Sequence, residues 1–137
     1  MTQENKELLL KDLCARLPYN VQILADTDRD FEGGCVATLA QIGPYKGIIR
    51  FYQSTGLYPY TIEEIRPYLY PLSSMTEKQK KELEDTLIEM SLKALSDEIN
   101  SEDVAAYEID FYNRHHIDYR GLIPMGLALN ATGKNIY

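Results

Sequence analysis

The hydrophobic period changes twice along this chain, and those changes limit the folds it can adopt. Leu9, Leu13 and Leu17 recur every fourth residue, which is typical of a helix with one apolar face. Residues 20–54 instead alternate, or run in β-branched and aromatic stretches, which favours strands. From Thr76 onward the helical period returns. The order of helix, strands and helices predicts an α+β fold in which helices cover one face of a sheet.

Local signals refine this expectation. Thr2 can cap the first helix, and Pro18 ends it because the residue before a proline is pushed out of the helical region. The short connections between the strands favour antiparallel pairing, since a parallel crossover needs about a dozen residues. We expect an N-terminal helix, an antiparallel sheet of three or four strands, and two or three C-terminal helices. They form a single domain, residues 1–137, in which residues 130–137 are expected to be a loose tail.

The second half of the chain carries the clearest helix. Thr76 and Gln79 have the spacing of a capping box, in which each side chain satisfies a backbone N–H of the other. Behind them, apolar residues follow one another at spacings of four, three and four: Ile88, Leu92, Leu95 and Ile99. This pattern predicts an amphipathic helix. A further helix is expected after residue 101.

Charge and composition exclude several classes of function. The net charge is −7, and no stretch offers the basic face that direct nucleic-acid binding draws on. No apolar run reaches the roughly 20 residues that span a bilayer, and the acidic N-terminus is unlike a signal peptide. We therefore expect no membrane insertion and a cytoplasmic location. There, Cys14 and Cys35 would be reduced, and such thiols are usually small buried apolar groups.

Tyrosine is unusually concentrated in one segment. Six of the eleven tyrosines lie between residues 45 and 70, interleaved with prolines. Tyrosine and arginine are both enriched at protein interfaces. The alternative is that about half of these rings pack on the sheet while their hydroxyls reach water. The candidate interaction surface, called here the Tyr/Pro surface, consists of Tyr45, Arg50, Tyr52, Tyr58, Tyr60, Arg66 and Tyr68.

A second candidate site contains both histidines of the chain. His115, His116, Asp118 and Arg120 bring together the parts of a metal site or an acid–base pair, with a guanidinium that can hold an anion. However, helical neighbours point about 100° apart, and no further histidine pair completes a coordination shell. In the structural alternative, Asp118 simply caps a short turn. The sequence therefore assigns no catalytic residue, metal or cofactor.

Two segments carry a resemblance to a known family. They are residues 64–76, EIRPYLYPLSSMT, and residues 111–123, FYNRHHIDYRGLI, followed by Gly126-Leu-Ala-Leu. The second half of the chain resembles small uncharacterised proteins encoded by gut anaerobic bacteria and by their phage-like or mobile elements. The resemblance implies a bacterial or phage accessory protein. The family has no assigned activity, so it transfers no catalytic residue.

Three hypotheses of function follow. The first is a small cytoplasmic interaction module without catalysis, which uses the Tyr/Pro surface to bind an unidentified protein partner. The second is a small-ligand, metal-binding or hydrolytic site at His115, His116, Asp118 and Arg120. The third is an acidic mimic of nucleic acid that binds a basic DNA-binding protein. Homo-oligomer formation stays open in all three.

Overall fold

The computed structural model describes residues 1–25, 35–43, 46–51 and 57–137 of the 137-residue chain. It has an α+β fold, with an N-terminal helix, a mixed sheet and two later helices, as the order of the periods predicts. The helices are α1 (Gln3–Arg16), α2 (Glu77–Leu95) and α3 (Ser101–Arg114). The strands are β1 (Gln22–Ala25), β2 (Cys35–Ile42), β3 (Lys46–Phe51), β4 (Leu57–Thr61), β5 (Ile65–Pro71), β6 (Ile117–Asp118) and β7 (Leu129–Asn130).

The sheet is mixed, and the prediction of a purely antiparallel sheet is wrong. Strands β4, β3, β2, β1 and β5 are neighbours in that order, and each pair is antiparallel. The short strands β6 and β7 both pair with β5, and both run parallel to it. For β6 the reason is the long connection after β5, because helices α2 and α3 lie between these two strands in the chain.

The starts of α1 and α2 follow the local signals in the sequence. Thr2 Oγ1 accepts a hydrogen bond from the backbone N–H of Asn5 at 3.1 Å. At the start of α2 the capping box is complete: Thr76 Oγ1 accepts from Gln79 N, and Gln79 Oε1 accepts from Thr76 N. These two capping predictions are confirmed.

The reason that we gave for the end of α1 is wrong. The α-helix ends at Arg16, but Leu17, the residue before Pro18, keeps right-handed helical angles (φ −51°, ψ −44°). The chain continues through Pro18 as a 3₁₀ turn, which Asn20 ends in the left-handed conformation.

The main core lies between α1 and the sheet. Leu9 and Leu13 of α1 are completely buried there against strand residues such as Ile23 and Leu69. An ion pair between Lys6 and Glu63 fastens the start of α1 beside β5. Cys14, expected to be buried, is exposed on the outer side of α1. The apolar stripe of the first helix is thus narrower than its sequence suggests.

A second, smaller core lies between α2 and α3. Leu83, Phe111 and Ile117 are its buried residues. Met75, Leu87 and two tyrosines are partly buried around them. No helix of the described residues is both long enough and apolar enough to cross a membrane.

Ala131 and Tyr137 bond residues 130–137 to the sheet, so this segment is not the loose tail that we expected. The backbone N–H of Ala131 donates to the carbonyl of Leu69 at 2.8 Å. The hydroxyl of Tyr137 donates to the carbonyl of Tyr68 at 2.7 Å and accepts from the N–H of Gln22 at 3.0 Å. One aromatic side chain therefore joins the C-terminal segment to β1 and β5.

Candidate functional site

Three of the seven residues of the Tyr/Pro surface have described side chains, and none of the three is exposed. Tyr60 is 1% exposed and Tyr68 is 7% exposed, so both rings belong to the folded interior. Arg66 is half-buried on β5. Tyr45 and Tyr52 lie outside the described residues. The structure describes only the backbone of Arg50 and Tyr58, on β3 and β4.

The two histidines lie at the end of α3 and face different neighbours. His115 is the C-terminal cap of the helix, and its ring contacts the Phe111 ring at 4.4 Å between centroids. His116 follows in the left-handed conformation, with φ at 59°, and turns the chain into β6. Its ring stacks on Tyr137 at 3.7 Å. The helix end separates the two imidazoles instead of joining them in one site.

Asp118 has a structural partner of its own. Its two carboxylate oxygens accept hydrogen bonds from the backbone N–H groups of Leu122 and Ile123, at 2.8 and 2.9 Å. Asp118 is buried, with 6% of the residue exposed. The two hydrogen bonds stabilise the turn that follows β6. This is the capping role that the structural alternative gives it.

Arg120 faces yet another partner, on the first helix. Its Nε lies 3.2 Å from Asp12 Oδ1, and its guanidinium lies over the Tyr119 ring at 4.9 Å. The four residues of the second candidate site therefore point to four different places. Among the described residues, no group of three or more His, Cys, Asp or Glu side chains is placed to hold a metal ion.

The sequence analysis missed the polar cluster to which Arg120 belongs. Asp12 and Arg16 are both completely buried, with Arg16 Nε 2.8 Å from Asp12 Oδ2. Arg16 Nη2 donates to the carbonyl of Ile117 at 2.7 Å. A signal was present, because Arg16 follows Leu9 by seven residues and Leu13 by three, inside the apolar stripe.

Burial shifts the titration of both histidines downward. Burial lowers the pKa of His116 to about 4, helped by the positive charges of Arg16 and His115. Burial also lowers the pKa of His115, and the neighbouring Arg114 adds to the effect. His116 Nδ1 is buried and has no hydrogen-bond partner among the described residues. Both imidazoles are therefore neutral near pH 7.

A small cavity of about 340 Å³ lies beside His115. Thr76 and Gln79 bond each other there, and the Ser74 hydroxyl donates to the carbonyl of Pro71 at 2.6 Å. Tyr70 and Thr132 also line the cavity, so His115 and Tyr70 are its titratable side chains. The described lining contains no second imidazole and no carboxylate, and it therefore lacks the ligand set of a metal site.

A larger groove, about 600 Å³ in volume, runs along α2. We call it the α2 groove. It lies between the helix, the turn after β5 and the ring of Tyr112 on α3. Its apolar lining includes Leu72, Met75, Leu87, Ile88, Leu92 and Tyr112.

The apolar side chains at the α2 groove are open to solvent. Ile88 is 55% exposed and Leu92 is 63% exposed, and Leu95, one turn further along the helix, is 83% exposed. The stripe that predicted an amphipathic helix is present, but no element of the described chain covers its C-terminal half. Large apolar side chains gathered on one exposed face typically mark a binding surface.

The charged side chains around the α2 groove differ in whether they have an ion-pair partner. Glu84 lines the groove and forms no ion pair with the described part of the chain. Glu108 lies beside it and accepts a hydrogen bond from the Tyr112 hydroxyl at 2.8 Å. Lys80 also lines the groove, but its ammonium group is paired with Glu77 at 3.3 Å. The uncompensated charge at this face is negative.

Comparison of the chain with protein-family models, with curated proteins and with solved structures found no match. The resemblance to the proteins of gut anaerobes stays a prediction.

Proposed function

We propose that this protein is a small interaction module that binds a protein partner through the α2 groove. The observation that carries the proposal is the exposure of Ile88, Leu92 and Leu95 on a helix that packs into the second core through Leu83 and Leu87. Each of these side chains loses favourable burial in the free protein, at about 25 cal/mol for every Å² left in water. A partner that covers the groove recovers this free energy.

An interaction module is also the class of function that the sequence favours, but the proposed binding surface is the α2 groove instead of the Tyr/Pro surface. Two rings of the Tyr/Pro surface are buried, whereas the apolar side chains of α2 are exposed. The four residues of the histidine site are held by separate neighbours, which gives the ligand-binding hypothesis no common centre.

Affinity capture from a bacterial cell extract tests the proposal. The wild-type protein, the double variant Ile88→Gln/Leu92→Gln and the control Met125→Gln are immobilised at equal density. Met125 is 46% exposed and lies outside the α2 groove, so the control also removes an exposed apolar side chain. Glutamine keeps the helix intact because its helix propensity is close to that of leucine.

We expect proteins that the wild type and Met125→Gln retain and that Ile88→Gln/Leu92→Gln loses. Urea unfolding must show that the double variant is folded and within about 0.5 kcal/mol of the wild type, as is usual for surface changes. The same set of captured proteins on all three surfaces would contradict the proposal.

A further inference from the structure

We infer that the α2 groove takes a basic amphipathic helix, supplied by the partner protein. This inference rests on the proposed function, and it names the chemistry of the partner. Three properties of the groove lead to it: its length, its apolar lining and the sign of the charge around it.

The length of the groove suits a short helix. The α2 residues that line the groove extend from Lys80 to Leu92, twelve residues apart, a distance of about 18 Å at 1.5 Å per residue. A partner helix of about three turns spans this length. Helices that bind in grooves insert apolar side chains at spacings of three and four residues. A lining formed by leucine, isoleucine, methionine and tyrosine side chains complements such a stripe.

The sign of the charge around the α2 groove determines which charged residues the partner helix should carry beside its apolar stripe. Residues 76–118 contain five basic and twelve acidic side chains, so this segment carries the net charge of the whole chain. Of the charged side chains that line the groove, Glu84 has no ion-pair partner among the described residues, whereas Lys80 is paired with Glu77. Glu108 accepts a hydrogen bond from Tyr112, which lines the groove. Lysine and arginine beside the apolar stripe of the partner would therefore be attracted, and acidic residues repelled.

The same charge argues against two other occupants. A second copy of this chain would bring another net charge of −7 to the interface, and like charges placed opposite each other disfavour association. The surface of an anionic membrane would repel the acidic helices in the same way. A basic helix satisfies both the apolar lining and the charge.

Two synthetic peptides of about 18 residues test the inference, since shorter isolated helices are marginal in water. Both carry the same leucine stripe; the other positions are mainly lysine in one peptide and mainly glutamate in the other. A third peptide is polylysine of equal length. Binding of each fluorescently labelled peptide to the full chain is measured by anisotropy at low salt and at 0.5 M NaCl.

We expect the leucine–lysine peptide to bind at least about tenfold more tightly than the leucine–glutamate peptide, and the difference to shrink at high salt. The variant Ile88→Gln/Leu92→Gln should lose about tenfold in affinity for it. Glu84→Gln/Glu108→Gln should weaken binding and flatten its salt dependence. The matched control Glu4→Gln/Glu7→Gln makes the same change of charge on α1, outside the groove, and should bind like the wild type.

Each of three other outcomes would overturn the inference. Equal affinity for both leucine peptides would remove the role of charge. Polylysine binding as tightly as the leucine–lysine peptide, with no loss in Ile88→Gln/Leu92→Gln, would favour the acidic mimic. A concentration-dependent dimer in sedimentation experiments, abolished by the same variant, would identify a second copy as the occupant.

The capture experiment separates failure of the inference from failure of the proposed function. If capture from the extract depends on Ile88 and Leu92 but the charge of the peptide has no effect, the groove binds a partner of different chemistry. If neither capture nor peptide binding depends on these residues, both proposals are wrong.

Discussion

Helices α1 and α2 carry similar apolar spacing and have opposite environments. Leu9 and Leu13 of α1 are completely buried against the sheet, whereas Leu92 and Leu95 of α2 are more than half exposed. The difference arises from what lies opposite each helix. The antiparallel strands provide a broad apolar face for α1, whereas α2 packs mainly against α3 in the described part of the chain. Apolar spacing therefore identifies an amphipathic helix, and the neighbouring elements decide whether its face is covered.

The charged side chains of the two helices differ in the same way. The ion pair between Arg16 and Asp12 on α1 is completely buried, and the pair between Lys93 and Glu89 on α2 is about half exposed or more. A buried pair is costly to break, because one charge is left without its partner in a medium of low dielectric. An exposed pair contributes little, because water and salt screen it.

The variant Arg16→Met should have the largest effect on stability. We expect a loss of about 3–5 kcal/mol in the free energy of unfolding, since the buried Asp12 keeps only the longer contact to Arg120 and the carbonyl of Ile117 loses its donor. The control Lys93→Met should change it by less than about 0.5 kcal/mol. Urea unfolding of both variants measures the difference, and similar losses would contradict the contrast between the two pairs.

Leucine truncation gives the next largest contrast. Leu13→Ala should destabilise the fold by about 2–5 kcal/mol, because it removes buried methyl groups and leaves a cavity. Leu92→Ala removes the same atoms from an exposed position and should cost less than about 0.5 kcal/mol. The midpoints of denaturant unfolding compare the two directly. A large loss for Leu92→Ala would mean that the C-terminal half of α2 is covered in solution.

These contrasts also show how far the sequence determines the fold. The helix caps at Thr2 and Thr76 and the apolar periods were predictable, because each depends on residues within a turn of one another. The parallel pairing of β6 and β7 with β5 was not, since it depends on where two helices return the chain. The exposed half of α2 was not predictable either, because the periodicity of one helix contains no information about its neighbours.

The candidate sites show the same limit. Adjacent histidines in a sequence suggest a shared site, but His116 is in the left-handed conformation that ends α3, and the two rings diverge. The Tyr/Pro surface depended on exposure, and Tyr60 and Tyr68 are buried. Residue type indicates which chemistry is available, and only the packing decides whether a side chain can use it.

Tyr137→Phe should have a smaller effect than either contrast above. It removes the hydroxyl that bonds the carbonyl of Tyr68 and the N–H of Gln22, and we expect a loss of about 1–2 kcal/mol. Tyr19→Phe is the control, because no hydrogen bond of the Tyr19 hydroxyl is found within the described chain. Thermal unfolding of the two variants measures the difference. No difference between the two variants would show that the hydrogen bonds of the Tyr137 hydroxyl do not stabilise the fold.

The effect of pH on stability should be confined to acidic solution, so near pH 7 it is the smallest of these effects. The unfolded chain takes up a proton at His116 near pH 6.5, whereas the folded protein resists until about pH 4. The unfolded state therefore binds more protons between these values, and stability should fall as the pH falls from about 6.5 to about 4.

The variant His116→Asn tests that slope. Asparagine tolerates the left-handed conformation and does not titrate. Unfolding free energies measured at several pH values should show a shallower decline than in the wild type. A slope remains, because the pKa of His115 is lowered as well. Parallel pH profiles for the two proteins would contradict the assignment to His116.

The bond from Arg16 to the carbonyl of Ile117 joins residues 101 positions apart in the chain, and this separation has a consequence for the order of folding. Contacts of such long range close a large loop and form late, whereas α2 and α3 are consecutive and make mostly local contacts. We expect the α2–α3 hairpin to assemble early in the folding reaction. The buried charges of α1 would then be enclosed last, so changes to Arg16 should mainly accelerate unfolding.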